Sequence, residues 1–189
     1  MISDLVKKNR SYRRFDQSYK IDDATLNELV DICRYTPSAR NIQPLKYAII
    51  NDEKSNEKLF KSLAWAGYLK DWAGPDEGEK PSAYIVMFGD KDITTTYSVD
   101  PGIAAQTLLL AAVEKELGGC IIMNVNKKQF ALDFQIPENL ELIQVIALGK
   151  PIENVKIVEM QNDEYKYYRD EQDVHFVPKR SFNDIIVKI

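Results

Sequence analysis

The sequence predicts a fold in which helices and strands alternate, an α+β or α/β sandwich. Four short apolar runs rich in β-branched and aromatic residues have the length of buried strands. Segments with the helical spacing of apolar residues separate these runs. Interleaved strands and helices of this kind pack as a sheet covered by helical layers. The 189 residues contain no internal repeat or proline-rich linker, so we expect one domain over residues 1–189.

The N-terminal part of the chain is expected to contain two helices and then a polar loop. The first helix begins after Ser3 and ends near Asn9. Asp22 has the residue type of an N-cap, and Pro37 stops the second helix. The polar segment that follows covers residues 37–44. The apolar residues that share one face of the second helix are Leu26, Leu29, Val30 and Cys33.

The remaining elements follow from the same signals. Asn126 is expected to cap a short helix, and a loop rich in glycine, proline and acidic residues covers 65–80. This loop contains Trp65 and Trp72, which either line a substrate pocket or anchor the loop. The strands are expected at 46–51, 84–88, 120–123 and 142–149, and two further helices at 55–63 and 101–117.

The helix that begins at Pro101 is apolar on almost every face, unlike a helix at the surface of a domain. Such a helix has to be covered on all sides. A second subunit is one cover for a chain of this length. Burial of the helix within a monomer is the alternative.

Beyond Pro151 the composition becomes polar, and apolar residues return only at 185–187. A tail of this length without its own core is expected to lie as an arm on the rest of the protein or on a partner. His175 lies in this polar tail and is expected to be solvated, and contact with a bound ligand through a folded-back arm is the alternative. Three tyrosines are expected to pack the arm onto the partner: Tyr165, Tyr167 and Tyr168.

Composition and charge exclude several classes of function. The chain has 25 Lys and Arg against 29 Asp and Glu, a formal net charge of −4 that disfavours nucleic acid or an anionic membrane as a partner. The longest near-apolar stretch, 103–113, is too short to span a bilayer. The N-terminus lacks the features of a signal peptide, so we expect a cytoplasmic protein in which Cys33 and Cys120 are reduced thiols.

Scarcity of particular residue types excludes further chemistry. One histidine and two distant cysteines make neither an HExxH motif nor CxxC pairs, so no metal site is expected. The eight glycines form neither GxGxxG nor a Walker A loop, which excludes a Rossmann dehydrogenase and a P-loop nucleotidase. We assign no side chain as a catalytic acid or base. Cys120, within a strand, is expected to be a small buried residue.

Local positive charge is the anomaly of this acidic chain. Short basic runs are commonly solvated faces. The alternative is an anion site, in which arginine forks and the Ser11 hydroxyl hold a phosphate monoester through charge-assisted hydrogen bonds. Five cationic residues lie within eight positions and two lie far along the chain: Lys7, Lys8, Arg10, Arg13 and Arg14, and then Lys179 and Arg180.

Four segments in the same order resemble the flavin-dependent nitroreductase family. They are R-S-x-R-x-F at 10–15, P-S-x-x-N-x-Q-P at 37–44, G-I-A-A-Q-x-L-L-L-A-A at 102–112, and the basic pair 179–180 followed by D-I-I-V. The resemblance implies an α+β fold with a central mixed sheet flanked by helices. It also implies a homodimer that exchanges a C-terminal arm and binds FMN in two sites between its subunits.

The resemblance also implies site residues. Arg10, Ser11 and Arg13 would hold the FMN phosphate and ribityl chain, with Arg14, Lys179 and Arg180 completing the basic set. From the partner subunit, the flavin would be approached by Pro37, Ser38, Ala39 and Asn41, with Gln43 at the edge of that contact. Backbone N–H groups of Met123 and Asn124 would face flavin N5 and O4. Without the resemblance, residues 37–44 would be a polar turn.

The implied activity is an NAD(P)H oxidoreductase that works by ping-pong hydride transfer through flavin N5. NADH or NADPH is a transient reductant, and a nitroaromatic, a quinone or a similar flat small molecule is the acceptor. Leu45 stands where family members commonly have tryptophan, which leaves substrate choice open. The alternatives are a flavin-binding or sequestering protein without turnover, a relative that uses reduced flavin for dehalogenation or flavin cleavage, and a phosphate-ligand module without flavin.

Overall fold

A five-stranded sheet organises the structure, a computed structural model that describes residues 1–188. Its central strand is β5 (Leu140–Pro151), which pairs with β3 (Ala83–Asp90) along one side. Along the other side β5 pairs with β4 (Gly118–Ile122) and, near its end, with β1 (Phe15–Asp16). β2 (Leu45–Ile50) pairs with β3 and completes the sheet.

The strand pairs of this sheet are all antiparallel. The family resemblance implies a mixed sheet. Parallel pairing with this sheet occurs at the isolated bridge between Ser11 and Gly119. That bridge brings the basic N-terminal segment against β4. The helix-and-strand sandwich predicted from the sequence is therefore confirmed, and the four predicted strands are β2, β3, β4 and β5.

Helices cover both faces of the sheet. The alternation of side chains along β3 divides the core, because successive residues of a strand point to opposite faces. Ile85 and Met87 join the cluster that packs against α2 and α4, whereas Tyr84 and Val86 join the cluster that packs against α3 and α5. The helices are α1 (Ile2–Lys8), α2 (Asp23–Asp31), α3 (Glu53–Phe60), α4 (Asp100–Glu114), α5 (Lys127–Phe134) and α6 (Phe182–Ile185).

Two predicted helix caps are confirmed. The Asp22 carboxylate accepts a hydrogen bond of 2.7 Å from the Thr25 N–H, and Asn126 caps α5. The expected start of α3 at residue 55 is wrong by two residues. Asp52 caps this helix by accepting from the Ser55 N–H at 2.9 Å, so the helix begins at Glu53.

Helix α4 is buried on one side and incompletely covered on the other. Ala104, Ala105 and Leu108 are fully buried in the core of the same chain. Gly102 and Gln106 are exposed, while several further apolar residues of the helix stay only half-buried. The cover by a second subunit, expected from the apolar composition, stays a prediction.

The segment after β5 contains more structure than the sequence predicts. β6 (Val155–Glu159), β8 (His175–Lys179) and β7 (Tyr168–Arg169) form a three-stranded sheet in that spatial order. β6 and β8 are parallel, and a pairing of this kind joins residues about 20 positions apart, beyond the reach of local patterns. The segment contacts the body of its own chain, as expected of an arm, and its exchange between subunits stays a prediction.

Residues 1–188 contain neither a membrane-spanning helix nor a cluster of metal-ligating side chains. None of the helices described is both long and apolar enough to cross a bilayer. Within the same residues, no group of three or more His, Cys, Asp and Glu side chains is placed to hold a metal ion.

Candidate functional site

A basic pocket of about 300 Å³ lies where the N-terminal segment, α4, β4 and β8 meet. It brings together Arg10, Ser11 and Arg13 with Lys179, which lies far along the chain. No acidic side chain is among the residues that line it, so its positive charge is not neutralised from within the pocket. The remaining lining residues are Asn9, Gln106, Leu109, Gly119, Ile121, Tyr167 and Val177.

Close backbone contact with β4 holds the basic segment in place. The Tyr12 N–H donates to the Gly119 carbonyl oxygen at 3.0 Å. A Cβ atom at Gly119 would collide with the Ala147 carbonyl oxygen on the neighbouring strand, so glycine is required at this position. The Asn9 side-chain amide donates to the Gln106 side chain at 3.3 Å, which ties the segment to α4.

The two guanidinium groups of the pocket are partly free to bind an anion. Arg10 donates from one terminal nitrogen to the Val6 carbonyl oxygen at 2.8 Å, and its buried Nε has no partner among the described residues. Arg13 donates to the Ser11 carbonyl oxygen at 3.1 Å. Its guanidinium carbon lies 4.8 Å from the centre of the Tyr167 ring, a cation–π contact.

Two predicted members of the basic set, Arg14 and Arg180, do not line this pocket and form ion pairs with acidic residues, so their contact with a ligand stays a prediction. Arg14 forms ion pairs with Glu79 at 3.0 Å and Asp173 at 3.3 Å. Arg180 pairs with Asp163 at 2.8 Å. Neighbouring residues of extended chain point to opposite sides. Arg13 and Lys179 therefore reach the pocket, and the residue after each of them does not.

The polar segment 37–44 forms a second, smaller pocket of about 180 Å³. The Ser38 hydroxyl donates to one Asp100 carboxylate oxygen at 2.6 Å, and the Ala39 N–H donates to the other at 3.0 Å. The Gln43 N–H donates to the Ser38 hydroxyl oxygen at 2.8 Å. Pro37, Ser38 and Gln43 line the pocket, so these predicted residues are brought together.

Asp100 was missed by sequence analysis, although it is only 4% exposed and organises this segment. Its position directly before Pro101 at the start of an apolar helix is the signal that could have identified it. The segment also contains left-handed backbone, with φ of 57° at Asn41 and 54° at Gln43. Such backbone is unfavourable outside glycine, and the hydrogen bonds to Asp100 and Ser38 stabilise it.

The two pockets share no lining residue within one chain. Asp100 lies at the N-terminus of α4, whereas Gln106 and Leu109 lie further along that helix. Asn41 is exposed, and its carbonyl and side-chain oxygens both accept from the Gln43 side chain at 3.1 Å. The approach of residues 37–43 to a ligand held by a partner subunit stays a prediction.

Met123 and Asn124 follow the end of β4, and both side chains are exposed. The Asn124 carbonyl oxygen accepts from the Ala64 N–H at 3.0 Å, and Leu63 forms an isolated bridge with Val125. The loop 65–80 therefore starts beside this strand end.

Both tryptophans of the 65–80 loop pack against other segments of the chain. Trp65 packs in the core, with its ring centre 5.8 Å from that of Phe60. The Arg169 guanidinium lies 4.3 Å above the Trp72 ring. These contacts fit the anchoring role, and the lining of a substrate pocket by either tryptophan stays a prediction.

Both cysteines are free and buried, as expected. Burial raises the pKa of the Cys120 thiol, and burial raises the pKa of Cys33 to about 11. The thiolate is the nucleophilic form of cysteine. Neither residue is therefore prepared for nucleophilic chemistry.

A buried carboxylate next to the basic pocket was not found by sequence analysis. The Glu153 side chain is 1% exposed and accepts three hydrogen bonds: from the Arg13 N–H at 2.8 Å, from Arg169 at 2.6 Å and from His175 Nδ1 at 3.0 Å. Burial by itself raises the pKa of Glu153. The hydrogen bonds from His175, the Arg13 N–H and Arg169 outweigh burial and lower this pKa to about 2.

The expectation that His175 is solvated is wrong. This residue is 1% exposed, because it begins β8 and its ring is enclosed between Glu153 and the Tyr167 ring. A polar neighbourhood in the sequence does not reveal such a contact. The partners of His175 lie 22 and 8 positions away.

Comparison with known proteins identifies similar chains. The model of the nitroreductase family matches residues 6–150. A Bacillus subtilis protein provisionally named NAD(P)H nitroreductase YodC is 25% identical over 179 residues, which covers 79% of this chain and 89% of that protein. An iodotyrosine deiodinase of Thermotoga neapolitana is 28% identical over 174 residues, with 80% and 89% covered.

The fold is also similar to solved structures. One of them is described as an FMN-dependent nitroreductase from Clostridium difficile R20291. It superposes with a TM-score of 0.66 at 20% sequence identity and covers 88% of this chain and 97% of its own. At this identity the likeness concerns the fold alone.

Proposed function

Because this chain belongs to the nitroreductase family, a family of oxidoreductases, we propose that it is an FMN-dependent oxidoreductase. It takes reducing equivalents from NADH or NADPH and passes them to a nitroaromatic, a quinone or a similar flat small molecule. The observation that carries this proposal is the basic pocket of Arg10, Ser11, Arg13 and Lys179, whose lining contains no acidic residue. The names of two similar proteins, an FMN-dependent nitroreductase and an NAD(P)H nitroreductase, support it.

The residues of the pocket fit a phosphate monoester. Two arginine forks and a lysine offer several charge-assisted hydrogen bonds, and arginine matches the geometry of phosphate oxygens. The buried Arg10 Nε without a partner is a donor that a phosphate oxygen would satisfy. The Ser11 side chain adds a hydroxyl donor. These four residues would hold the phosphate end of FMN.

The other end of the cofactor would involve the remaining predicted residues. Met123 and Asn124 directly follow β4, and β4 contributes Gly119 and Ile121 to the lining of the basic pocket. The segment 37–43 would approach from the second subunit of a homodimer. The incompletely covered face of α4 supports such a dimer, because half-buried apolar residues favour burial against another chain.

In this proposal the protein binds and orients, and its side chains move no proton. FMN, when bound, supplies the redox chemistry. The buried thiols have raised pKa values and stay protonated. The unneutralised charge of Arg10 and Arg13 fixes the phosphate, and the hydrogen bonds from Ser38 and Ala39 to Asp100 fix the loop expected to complete the site.

The experiment is a spectroscopic one on the purified full-length chain. We expect a yellow protein that releases FMN on denaturation and is bleached anaerobically by NADH or NADPH. A nitroaromatic or quinone should restore the colour, and initial rates should follow a ping-pong pattern. A chain that stays colourless with excess FMN would refute the proposal. A yellow chain that neither nucleotide reduces would instead indicate a flavin-binding protein without turnover.

Reductive dehalogenation is a second candidate, favoured by the similarity to the iodotyrosine deiodinase of Thermotoga neapolitana. In this reaction a two-electron reductant replaces carbon-bound iodine by hydrogen and releases iodide. Iodide release from iodotyrosine in the presence of NADH or NADPH would support it. Reduction of a nitroaromatic without iodide release from iodotyrosine would contradict dehalogenation and support the oxidoreductase proposed first.

A further inference from the structure

Glu153 connects three segments of the chain at one buried point. It follows β5 and precedes β6, and one of its carboxylate oxygens accepts from the Arg13 backbone N–H. The other oxygen accepts from Arg169 and from His175, which belong to the C-terminal sheet. Arg169 in turn lies over Trp72 and so reaches the 65–80 loop.

The same network also reaches the Arg13 side chain. The His175 ring lies 5.3 Å from the Tyr167 ring, and Tyr167 lies under the Arg13 guanidinium. Arg13 and Tyr167 both line the basic pocket, whereas Glu153 does not. Arg13 is therefore held from two sides, at its backbone directly and at its side chain through His175 and Tyr167.

The charge arrangement leaves the pocket positive. Glu153 forms its ion pair with Arg169, not with the Arg13 guanidinium. It accepts only the Arg13 backbone N–H, so the guanidinium keeps its charge for a ligand. Glu153 therefore orders the basic N-terminal segment through the Arg13 backbone without neutralising the Arg13 guanidinium. A glutamine would lose one acceptor oxygen and set an amide N–H against a donor.

We propose that Glu153 is a positioning residue for the phosphate end of FMN. Its hydrogen bonds hold the basic N-terminal segment at Arg13 and the C-terminal segment in fixed positions. Arg13, Tyr167 and Lys179 can then form one phosphate pocket. This inference rests on the proposed function and assigns a role to a residue outside the family motifs quoted above. It predicts that Glu153 affects binding of FMN, which carries a phosphate, and not binding of riboflavin, which lacks it.

The test compares both flavins on the flavin-depleted full-length chain by fluorescence titration. We expect Glu153→Gln to weaken FMN binding by about tenfold, as for a lost charge-assisted hydrogen bond, and riboflavin binding by less than about twofold. The matched control is Glu138→Gln, which makes the same charge change at an exposed residue and should leave both affinities unchanged. Circular dichroism confirms that each variant is folded.

A second variant keeps the test decisive if Glu153→Gln does not fold. Tyr167→Leu removes the ring under Arg13 and leaves the three hydrogen bonds of Glu153 in place, and it should also weaken FMN binding selectively. Equal losses for FMN and riboflavin, or no loss in either variant, would overturn the role of Glu153. A wild-type chain that binds neither flavin would refute the proposed function as well, which separates the two failures.

Discussion

The hydroxyl of Ser38 and the carboxylate of Asp100 form a hydrogen bond of 2.6 Å that joins the polar 37–44 segment to the N-terminus of α4. The same carboxylate accepts the Ala39 N–H, so a single buried acid determines the course of the loop. Without the Asp100 carboxylate, the loop would lose the hydrogen bonds that stabilise its residues with left-handed backbone.

Replacement of this acid should destabilise the protein. Asp100→Asn leaves one acceptor oxygen for two donors, and we expect the free energy of unfolding to fall by about 1–3 kcal/mol. Urea unfolding monitored by circular dichroism measures this loss. Asp92→Asn, at an exposed aspartate, is the matched control and should change stability by less than about 0.5 kcal/mol. Equal effects of the two substitutions would contradict the structural role of Asp100.

The basic pocket makes a prediction that separates two arginines. Arg10→Ala removes a pocket guanidinium and should weaken FMN binding by about 1.5–3 kcal/mol. Arg180→Ala should have a smaller effect, because Arg180 does not line the pocket and its guanidinium pairs with Asp163. Titration of the flavin-depleted protein with FMN measures both constants. A loss at Arg180 equal to that at Arg10 would support the full basic set implied by the family resemblance and contradict its restriction to the residues that line the pocket.

Glu153 should make stability depend on pH in the acid range. Its pKa is lowered from 4.5 to about 2 in the folded chain, so the unfolded state binds a proton first as the pH falls. The stabilisation is complete above the unfolded pKa and is lost as the pH falls toward the folded pKa. It is on the order of 3 kcal/mol at neutral pH.

The measurement is the difference in unfolding free energy between the wild type and Glu153→Gln, determined in urea from pH 6 to pH 3. We expect this difference to shrink as the pH decreases below about 5. A Glu153 difference that is independent of pH would show that its carboxylate is not held in the charged form.

The dimer proposal is tested at Leu110 of α4, a half-buried apolar residue. Leu110→Glu places a charge where a second subunit is expected, and burial of an unpaired charge is costly. The variant should dissociate into monomers and lose FMN at the same time, because the proposed site needs both chains. Light scattering after gel filtration and the absorbance of the protein peak measure both outcomes. A monomer that stays yellow would contradict a shared site.

Much of the fold could be predicted because its signals are local. The caps of α2 and α5 were identified from Asp22 and Asn126, whose side chains reach N–H groups three residues away. The buried strands were identified from runs of apolar residues, whereas the start of α3 was wrong by two residues because the cap at Asp52 was not identified. The grouping of Arg10, Ser11, Arg13 and Lys179 was proposed from local charge and a family resemblance, and these residues line one pocket, while their contact with a ligand stays a prediction.

The sequence by itself determined the sandwich class, the order of the elements from α2 to β5 and the family, because periodicity, caps and motifs act over a few residues or repeat a known pattern. Only the tertiary structure decided which basic side chains face the pocket, since adjacent extended residues such as Arg13 and Arg14 point to opposite sides. It also placed Glu153 against Arg13, 140 positions apart, and buried His175. Contacts of that range depend on how the sheet brings distant segments together, and no local pattern encodes them.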